Sequence, residues 1–192
     1  MGVFQTTFSV GDHFSGGSAL GYLPVQSVRQ PTPLEWLMMR DMGWTVLTSR
    51  SWTGGAGTLN WGETANWSPT GVPDVLDDLT FSSAGLVAGQ TIALGADRSI
   101  NTLSITAGLD FTIGGPTGSL TIGGGLITRP ASASGSQTIL RPIVLGAAGV
   151  FDIAGAGQLV LGGQISGGYS VTKSGPGLLA LSAANTFGGV GK

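Results

Sequence analysis

The chain has 192 residues, of which 35 are glycine and none is cysteine; only 9% are charged, and the net charge is −2. The eight Lys and Arg residues are scattered rather than clustered, which argues against a surface that neutralises nucleic-acid phosphates. No run of about twenty apolar residues exists, so no transmembrane helix is predicted.

The first recognisable element is a short helix. Thr32 is a capping residue, Pro33 follows at the first helical position, and Glu35 lies three residues after the cap, which is a typical helix start. Gly43 supplies the left-handed stop. The pattern predicts a helix over about 33–42.

The rest of residues 1–48, outside this helix, is predicted to be loop. It has no clear periodicity before the helix, and its start lacks the basic and continuous apolar regions of a signal peptide. One short helix buries too little apolar surface to fold alone. We therefore expect residues 1–48 to be a remnant of an upstream domain or a cap on the domain that follows, residues 49–192.

All five tryptophans precede residue 68. Trp44, Trp52, Trp61 and Trp67 have two interpretations: a sugar-stacking platform, because aromatic faces suit carbohydrate rings, or a plug that fills the open end of the following domain. The plug is favoured. Further along, adjacent carboxylates at 77–78 suggest a calcium ligand pair, but neighbouring strand residues point to opposite faces, so a solvated turn is the preferred interpretation.

A repeat covers the second half of the chain. Segments that begin at Gly118, Gly157 and Gly177 align with steps of 39 and 20 residues, and weaker copies occur at 136–140 and 99–105. A fixed period of about twenty residues predicts a solenoid.

The units predict which solenoid this is. In each unit, apolar residues alternate with small or polar ones, and each such run ends at a glycine, which is a pattern typical of β-strands. A unit of about twenty residues fits two or three short strands joined by tight turns. The expected fold is all-β, a parallel β-helix whose apolar residues stack on equivalents one coil away. The residues expected to point inward are Ile100, Leu103, Ile105, Ile122, Ile139, Val144, Ile153, Leu161, Ile165 and Leu181.

Three phenylalanines, Phe111, Phe151 and Phe187, recur every 36 to 40 residues. This spacing is consistent with a partial aromatic stack along the solenoid. Ordinary core packing explains it equally well.

Catalysis by the solenoid would need two carboxylates that converge on one face, as in carbohydrate-active β-helices. The candidates are Asp97, Asp110 and Asp152. Only Asp110 and Asp152 lie near a multiple of the coil length, and at two coils apart, on the order of 10 Å, they are too distant to work together. We predict no enzymatic activity and no catalytic, cofactor-binding or metal-binding residue.

From Trp52 onward the chain resembles the autotransporter-associated β-strand repeat proteins, also called passenger-associated transport repeats. The resemblance implies a right-handed parallel β-helix that is exported across the outer membrane, often as a stalk. The chain departs slightly at Pro176 and Leu178, where small residues and threonine are usual. The matching segments are 52–57, 66–68, 71–73, 77–81, 142–146, 172–177 and 185–189.

A shorter resemblance concerns residues 33–44. They are similar to the carboxy-terminal helix of leishmanolysin-like zinc metalloproteases. The resemblance offers His13, within Asp12-His13-Phe14-Ser15, as a relic of a zinc ligand in a longer parent, but an ordinary loop histidine is the favoured interpretation. A protease would need two more ligands and a glutamate base, and the chain has no His-Glu-x-x-His.

The function expected from these observations is that of a structural passenger or stalk segment of a bacterial surface or secreted protein, which assists export and display. The alternatives are a carbohydrate-binding or carbohydrate-active β-helix and the tail of a secreted zinc metalloprotease fused to a solenoid. The expected partners are an outer-membrane translocator, neighbouring coils of a longer parent or a surface polysaccharide. The expected location is extracellular or the bacterial cell surface.

Overall fold

The computed structural model describes Met42 and residues 47–188. The chain divides into two compact units, Met1–Val46 and Leu47–Lys192. The helix predicted over 33–42 lies, apart from Met42, outside the described residues, as does His13. Within the described part, every regular element except one 3₁₀ turn is a β-strand, which confirms the all-β prediction.

The strands are short, as expected from apolar alternation interrupted by glycine. The 3₁₀ turn covers Thr64–Asn66. The strands are β1 (Thr48–Trp52), β2 (Trp67–Ser68), β3 (Asp77–Phe81), β4 (Gln90–Ala93), β5 (Arg98–Ile100), β6 (Thr102–Ile105), β7 (Phe111–Gly114), β8 (Leu120–Ile122), β9 (Leu126–Arg129), β10 (Ser136–Ile139), β11 (Ile143–Leu145), β12 (Gly149–Ile153), β13 (Gln158–Leu161), β14 (Ile165–Gly167), β15 (Val171–Ser174), β16 (Leu178–Leu181) and β17 (Thr186–Phe187).

From β3 onward, consecutive strands belong to three sheets in turn. Face 1 has the order β15-β12-β9-β6-β3-β1-β2, face 2 has β16-β13-β10-β7-β4, and face 3 has β17-β14-β11-β8-β5. Every strand pair except β1 with β2 is parallel. A chain that winds through three parallel sheets is a parallel β-helix, so the predicted fold is confirmed; its handedness stays a prediction.

Five full coils, from β3–β5 to β15–β17, each contribute one strand to every face. Their steps run from 20 residues, where Gln158 pairs with Leu178, to 26 residues, where Phe111 pairs with Gln137. The sequence prediction of about twenty residues lies at the short end of this range. Longer steps occur because the turns between strands differ in length.

One of the predicted repeat alignments is wrong. The segment after Gly118 forms β8 on face 3, whereas the segment after Gly157 forms β13 on face 2. The alignment of Gly157 with Gly177 is confirmed by the pairing of β13 with β16. Strands on different faces share the same alternation of apolar and small residues, so similarity between two strands does not reveal that they share a face.

The interior is formed by alternate residues of each strand. Nine of the ten predicted inward residues lie at inward positions, eight of them buried, and only the prediction for Val144 is wrong. Val144 points outward because its neighbours Ile143 and Leu145 are the buried residues of β11. Leu181 pairs with the fully buried Leu161 but is 40% exposed, because no described strand follows β16 on face 2.

The corners depend on glycine where two coils touch. Gly157 has φ 80° and Gly118 has φ 96°, a region that L-residues with a side chain rarely adopt. A Cβ at Gly157 would also overlap the carbonyl oxygen of Gly135, one coil earlier. Close approach of consecutive backbones therefore explains part of the high glycine content.

The first turn of the solenoid is filled by aromatic rings. Trp67 lies 5.1 Å from Trp52, 4.8 Å from Trp61 and 5.6 Å from Phe81 between ring centroids. The cluster continues to Phe111, 5.6 Å from Phe81. Strand β2 pairs antiparallel with β1 and is the outermost described strand of face 1 on this side, so the first turn differs from the parallel coils that follow it.

The predicted partial stack of Phe111, Phe151 and Phe187 is wrong. The three residues lie in β7, β12 and β17, which belong to faces 2, 1 and 3. Their recurrence in the sequence reflects ordinary core positions on different faces.

Candidate functional site

The three carboxylates considered for catalysis do not form a site. Asp97 accepts hydrogen bonds from the backbone N–H and the hydroxyl of Ser119 at 2.8 and 2.9 Å. Asp110 accepts one from the N–H of Ser136 at 2.6 Å, and Asp152 accepts one from the hydroxyl of Ser174 at 3.0 Å. The three are exposed and precede or lie in strands of faces 3, 2 and 1, respectively. Each carboxylate joins its own coil to the next one.

The interpretation of 77–78 as a solvated turn is wrong. Both residues lie in strand β3, and Asp77 is only 1% exposed. Its carboxylate accepts hydrogen bonds from the Arg50 guanidinium at 2.7 Å and from the hydroxyl of Thr48. Asp78 accepts bonds from the Asn101 amide at 2.7 Å and the Thr102 hydroxyl at 2.6 Å. The two carboxylates serve different contacts, so they do not share a cation.

No group of three or more His, Cys, Asp or Glu side chains suited to a metal ion occurs among the described residues. Nor does any helix in that part of the chain have the length and hydrophobicity that crossing a bilayer requires.

A shallow groove of about 520 Å³ lies along the corner between faces 1 and 2, where turns of three successive coils line it. Small residues form most of its wall, and no titratable side chain lines it. The groove therefore offers shape but no group for acid–base or nucleophilic chemistry. Its lining residues are Ala131, Ala154, Gly155, Ala156, Gly157, Pro176, Gly177 and Leu178.

The three tryptophans that the structure describes do not form a sugar-stacking platform. Trp52 and Trp61 are fully buried and Trp67 is 2% exposed, while Trp44 lies outside the described residues. A ring must expose a face to stack on a sugar. For the three described tryptophans, the interpretation as a plug at the solenoid end is confirmed.

A buried polar pair was missed by sequence reasoning. Arg129 is fully buried and lies in β9 between apolar layers, paired in register with Ile153. Its Nε donates to the Gln137 side-chain oxygen at 2.6 Å, and its Nη2 donates to the carbonyl of Gly135 at 2.7 Å. Burial lowers the pKa of the Arg129 guanidinium, because desolvation disfavours the charged form.

Gln137 completes this network. It occupies an inward position of β10, in register with Phe111 and Leu159, and is 1% exposed. Its amide donates to the carbonyls of Leu109 and Ser134 at 2.8 and 2.7 Å. The pair thus fixes the turn between β9 and β10, which belongs to the longest step of the solenoid. The sequence signal was the alternation Ile127, Arg129, which places the arginine on the inward side.

A second feature concerns one inward row of face 1, which we call the central column: Arg50, Leu79, Leu103, Ile127, Phe151 and Lys173. The four apolar members are at most 1% exposed. The two ends of the column are cations. Arg50 is paired with Asp77, whereas Lys173 is exposed and donates to the carbonyl of Gly175 at 2.6 Å.

The outer faces are lined mainly by small uncharged residues. On face 2 one outward row begins with three threonines in register, Thr91, Thr112 and Thr138. This row therefore presents three hydroxyl groups about 4.8 Å apart, the spacing of neighbouring strands. No strong positive or negative potential is built along the outer faces.

No family model, curated protein or solved structure matches this chain.

Proposed function

We propose that the chain is a structural passenger or stalk segment of a bacterial surface or secreted autotransporter-like protein, in which it assists export and display. The observation that carries the proposal is the stacking of five coils in continuous register. In such a solenoid each coil contacts only its neighbours, so stability is a sum of coil and interface contributions.

The internal contacts suit a chain that folds as it leaves a pore. Each new coil adds three short strands to existing edges and places its apolar residues on a preformed layer, as Leu103 does on Leu79. Folding can thus advance coil by coil from one end, and the burial of apolar surface drives each step. Export of this kind needs no internal energy source.

The described surface supports a spacer role. The carboxylates Asp97, Asp110 and Asp152 hold successive coils together, and the described cavity has no titratable lining. Five coils at about 4.8 Å each form a rod of roughly 25 Å. Such a rod separates a module at one end from an anchor at the other.

The test places the full chain between an epitope and a bacterial barrel translocator, behind a signal peptide, and measures epitope on intact cells. Phe151→Asp introduces a charge into the core, where Phe151 is fully buried, and we expect surface epitope to fall several-fold at equal total expression. Val150→Asp is the matched control, because Val150 is the outward, 42% exposed neighbour on the same strand.

A flexible Gly/Ser linker of equal length gives the decisive comparison. The proposal predicts that the solenoid raises surface epitope above the linker level, and that Val150→Asp retains this gain. Equal display by the solenoid, the linker and Phe151→Asp would show that folding of this segment plays no part in export.

A further inference from the structure

The aromatic turn, which we define as residues 48–81, is held together by contacts between residues that are close in the sequence. Trp67 packs on Trp61 and Trp52, which precede it by six and fifteen residues. It also packs on Phe81, which follows it by fourteen residues. The indole N–H of Trp67 donates to the backbone carbonyl of Trp61 at 2.8 Å. Short loops cost less chain entropy to close than long ones, so these contacts can form before the rest of the solenoid exists.

A buried asparagine fixes the loop between β1 and β2. Asn66 is fully buried, and its side-chain oxygen accepts a hydrogen bond from the N–H of Ala56 at 3.0 Å. Its amide donates to the carbonyls of Thr58 and Asn60 at 3.1 and 2.9 Å. These partners precede Asn66 by 10, 8 and 6 residues. The three bonds therefore shape the loop that carries Trp61 without help from a later coil.

The five full coils depend on contacts over longer stretches of chain. Neighbouring coils pair residues that are 20 to 26 positions apart, and all their pairs are parallel, which requires a long crossover instead of a tight hairpin. The pair of β1 with β2, by contrast, is antiparallel. Pairing of distant segments starts slowly, because the chain loses entropy before the contacts stabilise it. A new coil therefore forms fastest on a strand edge that already exists.

The aromatic turn supplies such an edge. Its last strand, β3, pairs in parallel with β1 on one side and with β6 of the next coil on the other. Phe81 lies in β3 and is fully buried, and its ring centroid lies 5.6 Å from that of Phe111 in β7. Aromatic packing thus continues from the turn into the second coil.

We propose that the aromatic turn is the folding nucleus of the solenoid, and that the parallel coils assemble on it in order from β4 towards β17. The turn combines the three largest fully buried apolar side chains, Trp52, Trp61 and Trp67, with contacts that close short loops. It therefore gains much apolar burial for the chain entropy that it loses. The inference goes beyond the proposed function, which does not name the end at which folding starts, and purified protein tests it without any export machinery.

Phe81→Leu and Phe151→Leu form a matched pair of variants. Both phenylalanines are fully buried on face 1, Phe81 in the aromatic turn and Phe151 in the fourth coil. Stopped-flow urea jumps on the full chain, followed by circular dichroism, measure the folding and unfolding rates. We expect Phe81→Leu to fold about tenfold more slowly and to unfold at nearly the original rate. Phe151→Leu should fold at the original rate and unfold about tenfold faster.

Two buried amides repeat the comparison with polar contacts. Asn66 and Gln137 are at most 1% exposed, and they lie in the aromatic turn and in the third coil. Asn66→Ala removes the local bonds of the turn, so it should mainly slow folding. Gln137→Ala should mainly speed unfolding.

Pulsed hydrogen exchange during refolding of the unmodified chain gives a test that does not depend on any variant being stable. Amides of β1 and β3 should become protected before those of β12 and β13. Two results would overturn the proposal: Phe151→Leu slows folding as much as Phe81→Leu, or β12 and β13 become protected before the aromatic turn or together with it.

Discussion

The first and last turns of the solenoid are built from the same kind of short strand, yet they differ in burial. The first turn holds three tryptophans that are at most 2% exposed, and the antiparallel strand β2 is the outermost described strand of face 1 there. The last coil has the same inward register, but Leu181 is 40% exposed and Lys173 replaces an apolar residue. The comparison teaches that a coil's stability is set by what covers it, rather than by its own sequence alone.

The largest expected difference between the ends comes from truncating aromatic rings. Trp67→Ala removes a ring that packs on three others and should lower the free energy of unfolding by about 4 kcal/mol. Phe187→Ala removes a partly buried ring of the last coil and should cost less than half as much. Urea denaturation of both variants checks the comparison, and equal losses would contradict it.

The two cations of the central column sharpen the same contrast. Arg50→Ala leaves the Asp77 carboxylate buried without its ionic partner and should cost about 3 kcal/mol of unfolding free energy. Lys173→Ala removes an exposed charge with carbonyl partners only and should change it by less than about 0.5 kcal/mol. Denaturant melts at low protein concentration provide the measurement. A large loss in Lys173→Ala would mean that the lysine stabilises the last coil.

The last comparison concerns a buried polar pair in the middle of the molecule, away from both ends. Arg129→Leu leaves polar atoms of Gln137 and Gly135 without donors in the core and should cost about 2 kcal/mol. Gln137→Leu removes the other half of the pair. In the double variant the losses should be less than additive, with a coupling of about 1 kcal/mol, because the two side chains share one bond. Strict additivity would show that the pair does not act as a unit.

The fold could be predicted from the sequence because two local features repeat along the solenoid: apolar residues alternate with small or polar ones in the strands, and glycine follows many of the strands. It did not assign strands to faces, which is why the segments after Gly118 and Gly157 were matched wrongly. Alternation places some polar residues on the inward side, as it does for Arg129, but their partners become visible only once the register is known. The sequence does not show that Arg50 lies beside Asp77 or that Lys173 follows Phe151 in the central column.

The candidate site could be predicted less well than the fold. Asp97, Asp110 and Asp152 lie on three different faces, whereas their spacing in the sequence suggested that Asp110 and Asp152 are in register two coils apart. Their actual contacts, each with a serine one coil away, depend on coil lengths of 22 to 26 residues that no local pattern specifies.

Native-state hydrogen exchange, read strand by strand, tests the central claim most directly. If burial beneath neighbouring coils sets the local stability of each coil, amides of β3, β6 and β9 should exchange only through opening reactions with the highest free energy. Amides of β15, β16 and β17 should exchange through openings of much lower free energy. Equal protection of the last coil and the covered coils would contradict the account, because stability would then be a property of each coil alone.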